Sequence, residues 1–238
     1  LARLGRHQEL IKRAAALPPG TPEKVVRACL AHGARAALAA GQGATARDFL
    51  ARLIWRYTLS EEEGRQARLL VIDTYLADGQ AMDAYVLMLR YQQDYKPVDR
   101  DTAARFVEAL LTAGMEKESV NWLSQLDDAS ALKLLLRLKT NLITPDAAVA
   151  QARAALARSS QRGYWSVLEH AAVLQKNQVL HVEALENLLQ LADDQPAQRV
   201  AALAAELWTS YAVAAQDVAN QSQLLVGDDA GWADFAAR

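Results

Sequence analysis

Four glycines, Gly5, Gly41, Gly79 and Gly114, recur at intervals of 36, 38 and 35 residues. Stretches with apolar residues at helical spacing flank them. The clearest unit, residues 65–97, reads RQARLLVIDTYLADGQAMDAYVLMLRYQQDYKP. Val71, Ile72 and Tyr75 form the apolar face of a first helix. Gly79-Gln80 turns the chain, and Ala84, Leu87, Met88 and Tyr91 face back from a second helix. One hairpin of this size cannot bury such a face, so it needs copies beside it. The spacing therefore predicts an all-α chain of stacked helical hairpins.

The punctuation between these segments agrees. Residues 1–17 read as a helix, broken by Pro18-Pro19-Gly20. Thr21-Pro22-Glu23 is a strong helix start, with Thr21 expected to accept from a free N–H of the first turn. Gly41-Gln42-Gly43 turns the chain into a helix over 45–58, and Ser60 with Glu63 forms a capping box for the next helix. Asp99 or Asp101 caps the following one, and Gly114 turns into a helix over 116–126. Past Asp127 the units shorten, with helices over 129–140, 144–158, 163–176, 179–192 and 197–219. A last helix begins at Asp228 or Asp229, after a linker holding Gly227. The acid pairs Asp127-Asp128, Asp193-Asp194 and Asp228-Asp229 each precede a helix and read as N-terminal caps, not catalytic dyads.

Composition excludes several function classes. A net charge of −2 and a pI of about 6.1 leave no basic stripe for nucleic acid. No apolar run approaches the roughly 20 residues of a membrane helix. Cys29 is the only cysteine, so no internal disulfide can form. His7, His32, His170 and His181 make no HExxH or HxxxH pair, which argues against a metal. No phosphate loop, nucleophile elbow or kinase set is present. The expectation is no catalysis, no cofactor and no metal. Trp55, Trp122, Trp165, Trp208 and Trp232 are expected mostly to pack between hairpins, with any at a groove edge able to stack on a sugar ring.

The period is close to the roughly 34 residues of tetratricopeptide repeats. In the second helices a small residue precedes a large apolar one by four, as in Ala46 with Leu50 and Ala84 with Met88, and more weakly in Ser119 with Leu123. The chain resembles the tetratricopeptide repeat family at Val71, Tyr75, Ala84, Met88 and, one residue late, Pro97. It departs where the family tryptophan is replaced by Leu30, Arg68 and Ala103, and where the family glycine is Ala34, Ile72 or Val107. The resemblance implies a right-handed α-solenoid, with repeats over 1–195 and divergent helices continuing or capping it over 196–238. Gly5 falls at a mid-hairpin turn, so the chain reads as a segment of a longer solenoid. In the family the first helices line a concave groove. Carried over hairpin by hairpin, that places His32 and Arg35, Gln66 and Asp73, Arg105 and Glu108, and Ser166 and His170 along it as the partner-binding set. The family's clamp for C-terminal carboxylates uses asparagine and lysine at such places, so the clamp reading fails here.

The stretch over 207–232, LWTSYAVAAQDVANQSQLLVGDDAGW, departs from the repeat pattern. In its texture the chain is similar to the periplasmic repeat region of Pel exopolysaccharide export proteins of the outer membrane. That resemblance implies a periplasmic scaffold that recruits the polymer's deacetylase/hydrolase and assists export. Two rival readings stand beside it: the superhelical non-catalytic domain of a soluble lytic transglycosylase, and a solenoid that holds polysaccharide directly.

Overall fold

The computed structural model describes residues 6–192 and 195–224. Expectations at Gly5, Asp193-Asp194, Gly227, Asp228-Asp229 and Trp232 lie outside the described residues. Twelve α-helices and one 3-10 segment account for the regular structure, with no strand among the described residues, so the fold is all-α. No helix among them is long and apolar enough to cross a membrane. The chain divides into two compact units, Leu1–Gln125 and Leu126–Arg238. The junction falls beside Asp127-Asp128, where the sequence period shortens.

The first unit holds α1 (His7–Ala15), α2 (Glu23–Ala39), α3 (Gly43–Arg56), α4 (Glu61–Ala77), α5 (Ala81–Asp94), α6 (Arg100–Thr112) and α7 (Glu116–Ser119), which runs into a 3-10 segment, Val120–Gln125. Each helix packs on its sequence neighbour, and α2 also touches α4, so two hairpins lie with their first helices side by side. Leu30, Ala34 and Ala37 of α2 share one core with Phe49 and Leu50 of α3 and with Ile11 and Ala14 of α1. Further along, rings interlock edge to face: Tyr91 with Phe106 at 5.7 Å and Phe106 with Trp122 at 5.3 Å. Such pairs each add about 0.5–1.5 kcal/mol beyond burial.

The second unit holds α8 (Ala131–Lys139), α9 (Pro145–Leu156), α10 (Arg162–Gln175), α11 (Gln178–Gln190) and α12 (Ala197–Leu224). Here too neighbours pack in order, and α8 touches α10. Leu134, Ala148, Ala152, Leu168, Ala171 and Ala184 belong to its core. Arg153 of α9 donates to both carboxylate oxygens of Glu183 in α11 at 2.5 Å.

One turn recurs five times. The residue after the turn donates its N–H five residues back: Gln42 to Ala37, Gln80 to Tyr75, Met115 to Leu110 and Leu142 to Arg137 at 2.8 Å, and Asn177 to Ala172 at 2.9 Å. This is the bond that closes a Schellman motif, and it needs a left-handed residue at its centre. Gly41, Gly79 and Gly114 supply it at φ 70°, 72° and 73°. In the second unit Asn141 and Lys176 adopt the same geometry at φ 58° and 53°. The turn geometry thus recurs past Asp127 without glycine.

Several local expectations are corrected. Thr21 does not cap α2: its hydroxyl donates to Pro18 O, and α2 has no side-chain cap. The helix expected over 116–126 tightens to 3-10 after Ser119. Asp127 and Asp128 do not cap α8; Ser130 does, while Asp127 accepts from Ala129 N and Asp128 pairs with Lys133. Of Asp99 and Asp101, Asp99 is the cap, accepting from Thr102 N at 2.8 Å. The Ser60–Glu63 capping box forms in both directions, at 2.9 and 3.2 Å.

Candidate functional site

The side-by-side first helices of the first unit enclose a cleft of about 240 Å³. Leu50, Leu53, Leu59 and Leu70 give it an apolar floor, and Lys24, Arg27, Arg35, Glu63 and Gln66 a polar rim. Arg27 holds the rim together, donating to Thr58 O at 3.0 Å and Glu63 at 3.2 Å. Glu63 is held below the ordinary carboxylate range by its bonds from Ser60, with Arg27 adding to them.

Of the eight residues the sequence singles out, four meet in pairs. Arg35 Nη2 lies 3.4 Å from Gln66 Oε1, and Gln66 in turn donates to Glu62 at 2.6 Å. Arg105 donates to Asp73 across the next pair of first helices. Burial nevertheless raises the Asp73 carboxyl above its usual range, outweighing the pull of Arg105. His32 and Glu108 are exposed on α2 and α6. Ser166 and His170 are half-buried on α10, in the second unit. The charges at Asp73 and Arg105 are therefore answered within the chain, by each other.

A second groove, of about 300 Å³, opens between α3 and α5 over α4 and is missed by the sequence reading. Ile54, Trp55, Val71, Tyr75, Leu87 and Tyr91 line it with Arg47, Arg68 and Arg90. Trp55 is 80% exposed at its edge. Arg47 is fixed over the Tyr75 ring at 4.6 Å by its 2.7 Å bond to Asp78. The tryptophans divide: Trp122 and Trp165 are buried packing residues, as expected, whereas Trp55 and Trp208 are exposed. The signal for Trp55 was available in its place one residue before Arg56, the end of α3, off the apolar face carried by Ala46, Phe49, Leu50 and Leu53.

In the second unit, Glu169, His181 and Glu206 bring metal-ligating atoms within 4.8 Å of one another. The three come from α10, α11 and α12, so no local spacing links them. Compared with protein-family models and with curated proteins, the chain matches none.

Proposed function

We propose that the chain is a protein-binding scaffold whose hairpins stack as a right-handed α-solenoid of the tetratricopeptide type. We further propose that it serves in exopolysaccharide export, as the periplasmic repeat region of a PelB-like outer-membrane export protein. The observation that carries the binding reading is the cleft between α2 and α4, whose apolar floor lies open beneath a rim of both signs. A mixed rim suits a folded protein surface better than a uniformly charged polymer, because complementary charge sets specificity and encounter rate. The partner expected from the export reading is the periplasmic deacetylase/hydrolase of the polymer.

The test is a pull-down of that enzyme by the wild-type chain and by the double variant Arg35→Glu, Arg105→Glu. Both arginines are exposed, and surface pairs contribute only about 0–1 kcal/mol, so melting should change little. Binding should fall at least about tenfold, the effect of one lost or reversed charge contact of roughly 1.4 kcal/mol. Undiminished binding by the folded double variant would overturn the assignment of the cleft.

A second reading, direct polymer contact, is favoured by Trp55. An exposed indole over a groove with fixed guanidinium groups offers a face on which a sugar ring can stack. Trp55→Ala should then abolish retention of the chain on immobilised polysaccharide while leaving the deacetylase pull-down intact.

A further inference from the structure

Four of the five turns, at Gly41, Gly79, Gly114 and Lys176, give their hairpins a common register; at Asn141 a longer loop puts exposed Asp146, in the first turn of α9, at the second place. Counted from the turn residue, Ala34 and Ala46 occupy one pair of places in α2 and α3. Ile72 and Ala84 occupy them in the next hairpin, and Val107 and Ser119 in the third. All six are at most 2% exposed. Around Lys176 the same two places hold Glu169 and His181. This hairpin alone among those four sets a carboxylate and an imidazole where its siblings bury apolar or small side chains. Charge at such a place is costly unless something compensates it.

The geometry shows what kind of group would do so. His181 Nδ1 lies 3.2 Å from Ser210 Oγ, and the His181 side chain is 13% exposed. Its Nε2 is buried without a hydrogen-bond partner. That nitrogen faces Glu206 Oε1 at 3.5 Å and Glu169 Oε1 at 3.9 Å. In the tautomer whose Nδ1–H donates to Ser210, the Nε2 lone pair points toward two carboxylates, an arrangement that a cation between them would relieve. A proton on Nε2 would leave both oxygens beyond the ordinary 2.7–3.2 Å hydrogen-bond range. A tetrahedral ion bound at about 2.0–2.2 Å separates its ligands by about 3.3–3.6 Å, a spacing that the 3.5 Å His181–Glu206 gap meets and the 3.9 Å gap to Glu169 slightly exceeds. Lys139 is the other charge acting on Glu169, and it does not reach into the gap as a hydrogen-bond donor to Nε2.

We infer that Glu169, His181 and Glu206 form a binding site for a divalent ion of the zinc class, with Ser210 orienting the imidazole from behind. One nitrogen and two carboxylate oxygens suit such an ion, and three protein ligands leave one position for water. The contact between the imidazole's second nitrogen and Ser210 is the support that metal-bound histidines usually have. Because the ligands come from α10, α11 and α12, the ion pins α12 to the α10–α11 hairpin. It is a structural tie independent of the cleft proposed for partner binding.

The experiment uses the full 238-residue chain, stripped with chelator and titrated with Zn²⁺ by calorimetry, with Co²⁺ as the spectroscopic probe. The expected result is one equivalent bound, a higher melting temperature, and visible Co²⁺ absorption of tetrahedral intensity. Glu206→Gln lies half-exposed and should fold yet lose the site. His181→Ala restores the residue that Ala46 and Ala84 represent, so it too should fold and not bind. Ser210→Ala should weaken binding about 10- to 100-fold. Cys29→Ser and His32→Ala should bind as the wild type. No bound equivalent in the wild type, undiminished binding by Glu206→Gln, or loss of binding in Cys29→Ser or His32→Ala would each overturn the inference.

Discussion

The two units use one turn geometry with different residues. In the first, glycine sits at every left-handed turn position, and the paired places on either side are apolar or small. In the second, Asn141 and Lys176 take the left-handed position, and the Lys176 hairpin sets Glu169 and His181, both half-buried, in the paired places. The turns of the first unit are thus locally consistent, each glycine favouring the conformation it adopts. The second departs from those preferences twice within a few turns. Departures of this kind concentrate where a chain does something besides fold. The comparison teaches that a repeat is better recognised by its backbone register than by its residues, and that the register exposes the residues out of place.

The sharpest way to break the comparison is to move the charge. Ile72→Glu puts a carboxylate at the first-unit place that matches Glu169, where Ala84 and not a histidine stands at the paired place. Leaving a buried charge unpaired costs about 3–5 kcal/mol. Hydrogen exchange of α4 and α5 should rise toward that of an unfolded segment, whereas protection close to wild type would show the two places are not equivalent. The reverse change is Glu169→Leu with His181→Ala. In metal-free protein it should raise the stability of the second unit, because two incompletely satisfied polar side chains give way to apolar ones. A denaturation midpoint below wild type would show that the polar pair stabilises the fold unaided.

The turns supply the next test. Gly79→Ala forces a Cβ into the left-handed region and should cost about 1–2 kcal/mol. Lys176→Gly removes that strain and should gain about 1 kcal/mol, the low end of what a strained backbone position costs. Equal and opposite shifts in melting temperature would confirm that the two turns are the same device.

The smallest effect compares two arginine–carboxylate pairs. Asp73 has a folded-state pKa above its unfolded value, through burial. Its contribution therefore favours folding below the unfolded pKa and is lost as pH rises through the folded one. Glu183 is the opposite: its bond from Arg153 lowers it, so its contribution is present above the unfolded pKa and is lost as pH falls through the folded one. Relative to wild type, Asp73→Asn should gain stability on going from acid to neutral pH, and Glu183→Gln should lose it. Parallel pH profiles for the two variants would contradict these assignments.

Much of the first unit was legible because glycine, proline and short polar caps leave direct traces. Gly41, Gly79 and Gly114 mark turns, and Ser60 with Glu63 marks a helix start through a bond pattern written in four consecutive residues. Thr21 misled because its hydroxyl found Pro18 O before it could reach the helix. Asn141 and Lys176 gave no signal, since neither residue demands a left-handed conformation. The cleft residues Arg35 and Gln66 fell in one groove through the geometry that the tetratricopeptide resemblance implies. The Glu169–His181–Glu206 group could not be found from the sequence, because a motif on one helix has a fixed spacing and a group drawn from three helices has none. The left-handed turn at Lys176 sets the register that aligns Glu169 with Ile72 and His181 with Ala84.

Within each unit, helices touch those beside them in sequence, and this has a kinetic consequence. The loops to be closed before two helices meet are a few residues long, so little chain entropy is spent ahead of the first favourable contact. Chains dominated by such near-neighbour contacts order quickly, on microsecond to millisecond scales for small domains. Each hairpin can pack onto the one before it as soon as its second helix has left the ribosome. A hairpin at the end of a unit can likewise open and reclose while its neighbours keep their packing.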